Sequence, residues 1–132
     1  GYRIDVGERS VVFSGDTRAS ESLIEHARGA DVLIHEVVAP EVERRRAAVR
    51  DPERIQRIID HHTTPEDAGR VFARVKPRLA VYAHIVPSPT KAQDLIGPTR
   101  TTYKGPLVVG EDLMTITIGE RVVVGRSRRI PE

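Results

Sequence analysis

Four short stretches carry side chains that could do chemistry together. They are Ser14-Gly15-Asp16-Thr17, Leu33-Ile34-His35-Glu36, His61-His62-Thr63-Thr64 and Val81-Tyr82-Ala83-His84. Carboxylate oxygen and imidazole nitrogen are ligands for divalent metals, and the same groups serve as general acids and bases. Asp16, Glu36 and His84 each follow an apolar run that reads as a strand, and His62 sits where a helix begins. In α/β proteins ligands gather outside the carboxyl ends of the strands. Four polar groups from four separated segments on one sheet edge point to a metal or catalytic site. Each residue also has a plainer reading: Asp16 as a helix cap, Glu36 as a solvated carboxylate, His62 and His84 as hydrogen-bonded structural imidazoles. His35 and His61 have no matching role and stay outside the candidate site.

The elements that must position these groups follow from pattern. Arg3 to Val6 and Ser10 to Phe13 are strands joined by a turn at Gly7. Ser20 caps a helix with Leu23, Ile24 and Ala27 on one face, and Gly29 ends it. Val32 to Ile34 is continuously apolar, as in a strand covered on both faces. Pro52 starts a second helix with Ile55, Ile58 and Ile59 as its stripe. Thr64-Pro65-Glu66-Asp67 is a helix start with a capping box, followed by Ala68, Val71, Phe72 and Val75 on one face. Leu79 to Ala83 and Leu107 to Val109 are strands, with a short helical piece at Ala92 to Ile96 between them. Asp112 to Ile118 and Arg121 to Val124 form a hairpin around Gly119-Glu120. The order predicts one α/β unit with mixed sheet pairing.

Composition narrows the function. The 132 residues make one domain's worth of core. No apolar run approaches the ~20 residues of a membrane helix. Cysteine is absent, which excludes disulfides and thiolate ligands. A net charge of +2 points to neither nucleic acid nor membrane as partner. Arg44, Arg45, Arg46, Arg50, Arg54 and Arg57 alternate with acids and read as a solvated, ion-paired face, or else as a positive rim for an anionic substrate. The chain begins with Gly1 in strand-like sequence, which raises the expectation that an N-terminal portion, and any targeting segment with it, is missing. The compartment stays open.

Ser-Gly-Asp-Thr after a strand, Leu-Ile-His-Glu, His-Thr-Thr-Pro-Glu-Asp-Ala-Gly and Tyr-Ala-His-Ile-Val-Pro, in this order across residues 11 to 87, resemble the C-terminal half of a metallo-β-lactamase-fold hydrolase. The branch resembled is that of ribonuclease Z and arylsulfatase-like enzymes. The tail from Thr102 to Met114 is similar to the ends of the same branch. The resemblance implies half of an αββα sandwich, a mixed sheet with flanking helices. It implies that Asp16 bridges two metals, usually zinc with Mn2+ or Fe2+ as the other candidates, and that His84 is the last histidine ligand of one. It implies that Glu36 and His62 form a pair that assists proton transfer to the leaving oxygen, with Val37-Val38 departing from the family's Ala-Thr. The family's H-x-H-x-D-H motif has no counterpart among His26, His35, His61, His62 and His84. Residues 1–132 are therefore expected to be the C-terminal portion of one such domain, whose partner is the missing N-terminal half, and which is inactive alone. The implied substrate is a small anionic phosphodiester or sulfate ester; RNA and a homodimer are further partners to test. From another class, a receiver-like or non-catalytic α/β binding module remains as the alternative, suggested faintly by Lys104-Gly105-Pro106.

Overall fold

The computed structural model describes residues 1–46 and 50–126. In chain order the elements are β1 (Tyr2–Val6), β2 (Arg9–Phe13), α1 (Glu21–Ala27), β3 (Val32–Val38), α2 (Pro40–Arg45), α3 (Pro52–His61), α4 (Pro65–Val75), β4 (Leu79–Val86), α5 (Ala92–Thr99), β5 (Leu107–Val109), β6 (Met114–Ile118) and β7 (Val122–Arg126). Strands β1 to β5 form one sheet in that spatial order, and among the described residues β6 pairs only with β7. The β1–β2 pair is antiparallel, and the β2–β3, β3–β4 and β4–β5 pairs are parallel. The expected mixed pairing is present, with the last hairpin set apart as a second small sheet.

Helix starts follow the local chemistry. Ser20 caps α1 by accepting from the Leu23 amide, and Thr64 caps α4 by accepting from the Asp67 amide. The Asp67 carboxylate does not reach back to the backbone of Thr64, as a full capping box would; it accepts from the Thr64 hydroxyl at 3.1 Å. Helix α2 was not anticipated, because Pro40-Glu41-Val42-Glu43-Arg44-Arg45 carries no apolar stripe.

One face of the sheet is covered by helices. Ile24 and Ala27 of α1, Ala68, Val71, Phe72 and Val75 of α4, and Leu95 of α5 pack on Val12, Leu33, Val37, Ala80 and Tyr82. Phe72 is the hub: its ring lies 5.5 Å from those of both Tyr82 and Tyr103. The other face, with Val32, Leu79 and Val81, is covered by Ile116, Ile118 and Val122 of the hairpin. Arg78 ties that hairpin down by donating to Asp31 at 2.7 Å, to the Gly119 carbonyl at 3.0 Å and to the Glu120 carbonyl. Among the described residues no helix is long and apolar enough to cross a membrane.

Two expected strand ends lie elsewhere. Glu36 and His84 do not terminate their strands, because Val37-Val38 pairs with Ile85-Val86 beyond them. Pairing resumes there because both dipeptides are apolar and half or fully buried.

Candidate active site

The site is built where β2 ends and β3 and β4 lose register. The Ser14 amide donates to the Ile34 carbonyl at 2.9 Å, extending the β2–β3 pairing by one bond. Gly15, at φ +64°, then turns the chain in a conformation that favours glycine, and Asp16 follows with its side chain 65% exposed. Asp16 does not cap α1; Ser20 does that.

Between β3 and β4 His35 pairs with Tyr82, yet Val37 pairs with Ile85. One residue of β3, Glu36, therefore stands opposite two of β4, Ala83 and His84. Such a bulge re-aims side chains. His84 takes φ +45°, an uncommon value for a residue with a side chain. Its Nε2 lies 3.4 Å from Asp16 Oδ1.

Glu36 is buried and its carboxylate is fully engaged. Oε1 accepts from the Thr63 amide at 2.7 Å, and Oε2 lies 2.8 Å from His62 Nδ1. Burial pushes the Glu36 carboxyl above its ordinary range, and the His62 bond opposes that rise. His62 follows the last residue of α3 as its C-cap rather than opening α4. The rings of His62 and His84 stack at 5.8 Å between centroids, 29° from parallel. Asp16, Glu36, His62 and His84 thus meet as two contacting pairs.

Hydroxyl groups lock this arrangement, and the sequence reading gave them no role. Ser14 Oγ accepts from the Glu36 amide at 3.0 Å and donates to the Gly15 carbonyl at 2.7 Å. Thr63 Oγ1 donates to the Thr17 carbonyl at 2.7 Å, and the Thr63 carbonyl accepts from the Val38 amide at 2.9 Å. The available signal was adjacency: Ser14 and Thr63 each lie within two residues of a candidate residue.

The other histidines lie apart. His35 is wholly buried, with Nδ1 2.7 Å from the Glu36 carbonyl and its ring edge-on to Phe72. Burial lowers its pKa, and the bond to the Glu36 carbonyl opposes that fall. His61 is exposed, its Nδ1 2.6 Å from the Arg57 carbonyl. Three of the six arginines are locally ion-paired: Arg44 with Glu41, Arg46 with Glu43, and Arg57 with Asp51 and Glu53.

The donor set fits a metal in type but not in number. Asp16 and His84 offer oxygen and nitrogen, both ligand types that zinc accepts, at one exposed spot. A catalytic zinc normally takes three protein ligands. Among the described residues no three histidine, aspartate or glutamate side chains group closely enough to hold one.

The chain is similar to known proteins in sequence and in fold. The model of the beta-lactamase superfamily domain matches residues 1–85. Ribonuclease Z of Mycobacterium tuberculosis is 31% identical over 123 residues, which is 92% of this chain and 44% of that protein. Ribonuclease Z of Mycobacterium avium is 30% identical over 120 residues, 89% of this chain and 41% of that one. The chain therefore spans less than half the length of these relatives. The crystal structure of the metallo-beta-lactamase fold protein YhfI from Bacillus subtilis superposes with a TM-score of 0.63 over 93% of this chain and 43% of that one, at 21% identity, a likeness of fold.

Proposed function

This chain belongs to the beta-lactamase superfamily, and from that premise we propose that it carries part of the active site of a metal-dependent hydrolase acting on a phosphodiester. The observation that carries the reading is the buried Glu36 carboxylate, which holds His62 Nδ1 at 2.8 Å beside the Asp16–His84 pair.

Each residue then has a task. Glu36 accepts the Nδ1 proton of His62 and fixes the ring, which leaves Nε2 to carry the exchangeable proton. The Thr63 amide holds the other oxygen of Glu36, and the His84 ring stacks on that of His62. From Nε2 a proton can pass to the leaving oxygen of an ester, a step typically worth ~10²–10⁴-fold. Asp16 and His84 would hold metal, with zinc expected and Mn2+ or Fe2+ as the other candidates. A bound metal supplies Lewis acidity and lowers the pKa of water. The remaining ligands come, on this reading, from the half of the fold that this chain does not span.

Relatives bearing the name ribonuclease Z favour a phosphodiester, RNA included, over a sulfate ester. The test joins this chain to a portion that supplies the other ligands, loads zinc and compares bis(p-nitrophenyl) phosphate with p-nitrophenyl sulfate. Preferred turnover of the phosphate is expected, with His62→Ala lowering kcat by about 10²-fold or more. Equal turnover by His62→Ala, or turnover of the sulfate alone, sinks the reading.

A further inference from the structure

The bulge at Glu36 leaves backbone groups that side chains have to pair. Along β3 the amides and carbonyls of alternate residues face the same neighbour, so those of Ile34, Glu36 and Val38 face the side of β2. On that side the Ser14 amide donates to the Ile34 carbonyl and the Val38 amide to the Thr63 carbonyl, each at 2.9 Å. Glu36 lies between them, where the chain has left β2 and turned away at Gly15. Its buried backbone groups need partners of some kind. The amide donates to Ser14 Oγ at 3.0 Å, and His35 Nδ1 lies 2.7 Å from the carbonyl. A carbonyl only accepts, so Nδ1 carries the hydrogen and donates it.

Histidine is otherwise a poor residue for that place. His35 is fully buried, and its Nε2 has no hydrogen-bond partner among the described residues. An unpaired buried polar atom destabilises a fold. Leucine would fill the space beside Phe72, whose ring stands edge-on to the imidazole at 5.9 Å, without that atom. What leucine lacks is the donor. The Glu36 carbonyl belongs to the peptide plane that follows the bulged residue, where ladder pairing is disrupted. A plane left unpaired there can rotate and carry the Glu36 side chain with it. Glu36 Oε2 would then leave His62 Nδ1, from which it stands 2.8 Å. His35 and Glu36 are at most 2% exposed, so the contact is internal to this chain.

We propose that His35 is a positioning residue: its Nδ1–H pins the Glu36 carbonyl at the bulge and so holds the Glu36 carboxylate on His62. The role in turnover rests on the reading of Glu36 and His62 as the proton-transfer pair; the contact itself does not.

Long-range nitrogen–proton NMR of the native chain reads the His35 ring directly, and decides even where no variant folds. A hydrogen on Nδ1 is expected; a bare Nδ1 overturns the proposal, because it cannot donate. Two substitutions then separate the donor from the packing. His35→Asn places an amide N–H where the imidazole has Nδ1, and His35→Leu keeps the bulk without a donor. The His62 Nδ1–H resonance, moved downfield by its bond to the Glu36 carboxylate, should persist in His35→Asn and vanish in His35→Leu. A packing role alone gives the reverse order, because leucine fills the site better than asparagine. Persistence of that resonance in a folded His35→Leu chain overturns the proposal. In the joined, zinc-loaded protein, kcat of His35→Leu should fall at least about tenfold with KM unchanged, as displacing a positioned group does, and His35→Asn should keep most of it. Turnover unaffected by His62→Ala would overturn the proton-transfer reading instead, and the ring hydrogen and the resonance, both read on the chain alone, would still decide whether His35 holds Glu36.

Discussion

The Thr63 hydroxyl donates to the Thr17 carbonyl across 2.7 Å, while the amide of the same residue donates to Glu36. One buried residue thereby joins the Asp16 turn, the β3 bulge and the segment that carries His62. Thr63→Val keeps the shape and the amide bond but orphans the Thr17 carbonyl. A loss of about 1–3 kcal/mol in urea unfolding is expected. Thr63→Ser should restore most of it. Equal stability of the valine and serine variants would remove the hydroxyl from this role.

Glu36 gives a pH signature. Its carboxyl lies above the ordinary value of 4.5, with burial the larger cause and the His62 bond opposing. A folded-state pKa raised above the unfolded one contributes stability that is present below the unfolded value and lost as pH rises through the folded one. The stability of the native chain relative to Glu36→Gln should therefore fall as pH is raised from 4 upward. Denaturant midpoints of the two proteins, compared across that range, check the sign.

Asp31 has the opposite sign. The Arg78 guanidinium, then the Ser10 amide, hold its carboxyl below the ordinary 3.8. Its contribution is present above the unfolded value and lost as pH falls through the folded one. Asp31→Ala should cost about 1–3 kcal/mol at neutral pH, because it leaves the Arg78 guanidinium and the Ser10 amide short of a partner. That cost should shrink in acid. Arg78→Ala should also free the β6–β7 hairpin, seen as faster amide exchange from Met114 to Arg126.

Much of this arrangement was legible in the sequence. Strands β1, β2 and β5 and helices α1, α3 and α4 follow from apolar period, from caps at Ser20 and Thr64 and from Pro52 at a helix start. The gathering of Asp16, Glu36, His62 and His84 followed from placing each near one sheet edge. The bulge did not, because register between β3 and β4 depends on residues some 50 positions apart, such as His35 and Tyr82. Glu36 read as a strand end because a charged residue interrupts an apolar run, although two valines continue it. Helix α2 lacks a stripe, and the hydroxyl bonds of Ser14 and Thr63 depend on a backbone path that local pattern does not contain.

The φ of +45° at His84 leads to a prediction in which stability and metal affinity part company. A left-handed conformation costs a residue with a side chain on the order of 1 kcal/mol, and glycine pays little of it. His84→Gly should therefore match or exceed the native chain in thermal stability, whereas His84→Ala, which retains a Cβ in the same backbone, should not. Both remove one of the two donors at the Asp16 spot. With only two donors, the native chain alone should hold zinc weakly and lose it on dialysis, so elemental analysis should find close to none. In a zinc titration followed by NMR, the first signals to move should be those of Asp16 and His84, and both substitutions should abolish that response. Two zinc ions retained per chain after dialysis, or an unchanged response in His84→Gly, would show that the ligands lie elsewhere. A stable His84→Gly chain without the zinc response would instead mean that the bulge keeps a strained histidine where an unstrained glycine would fold better.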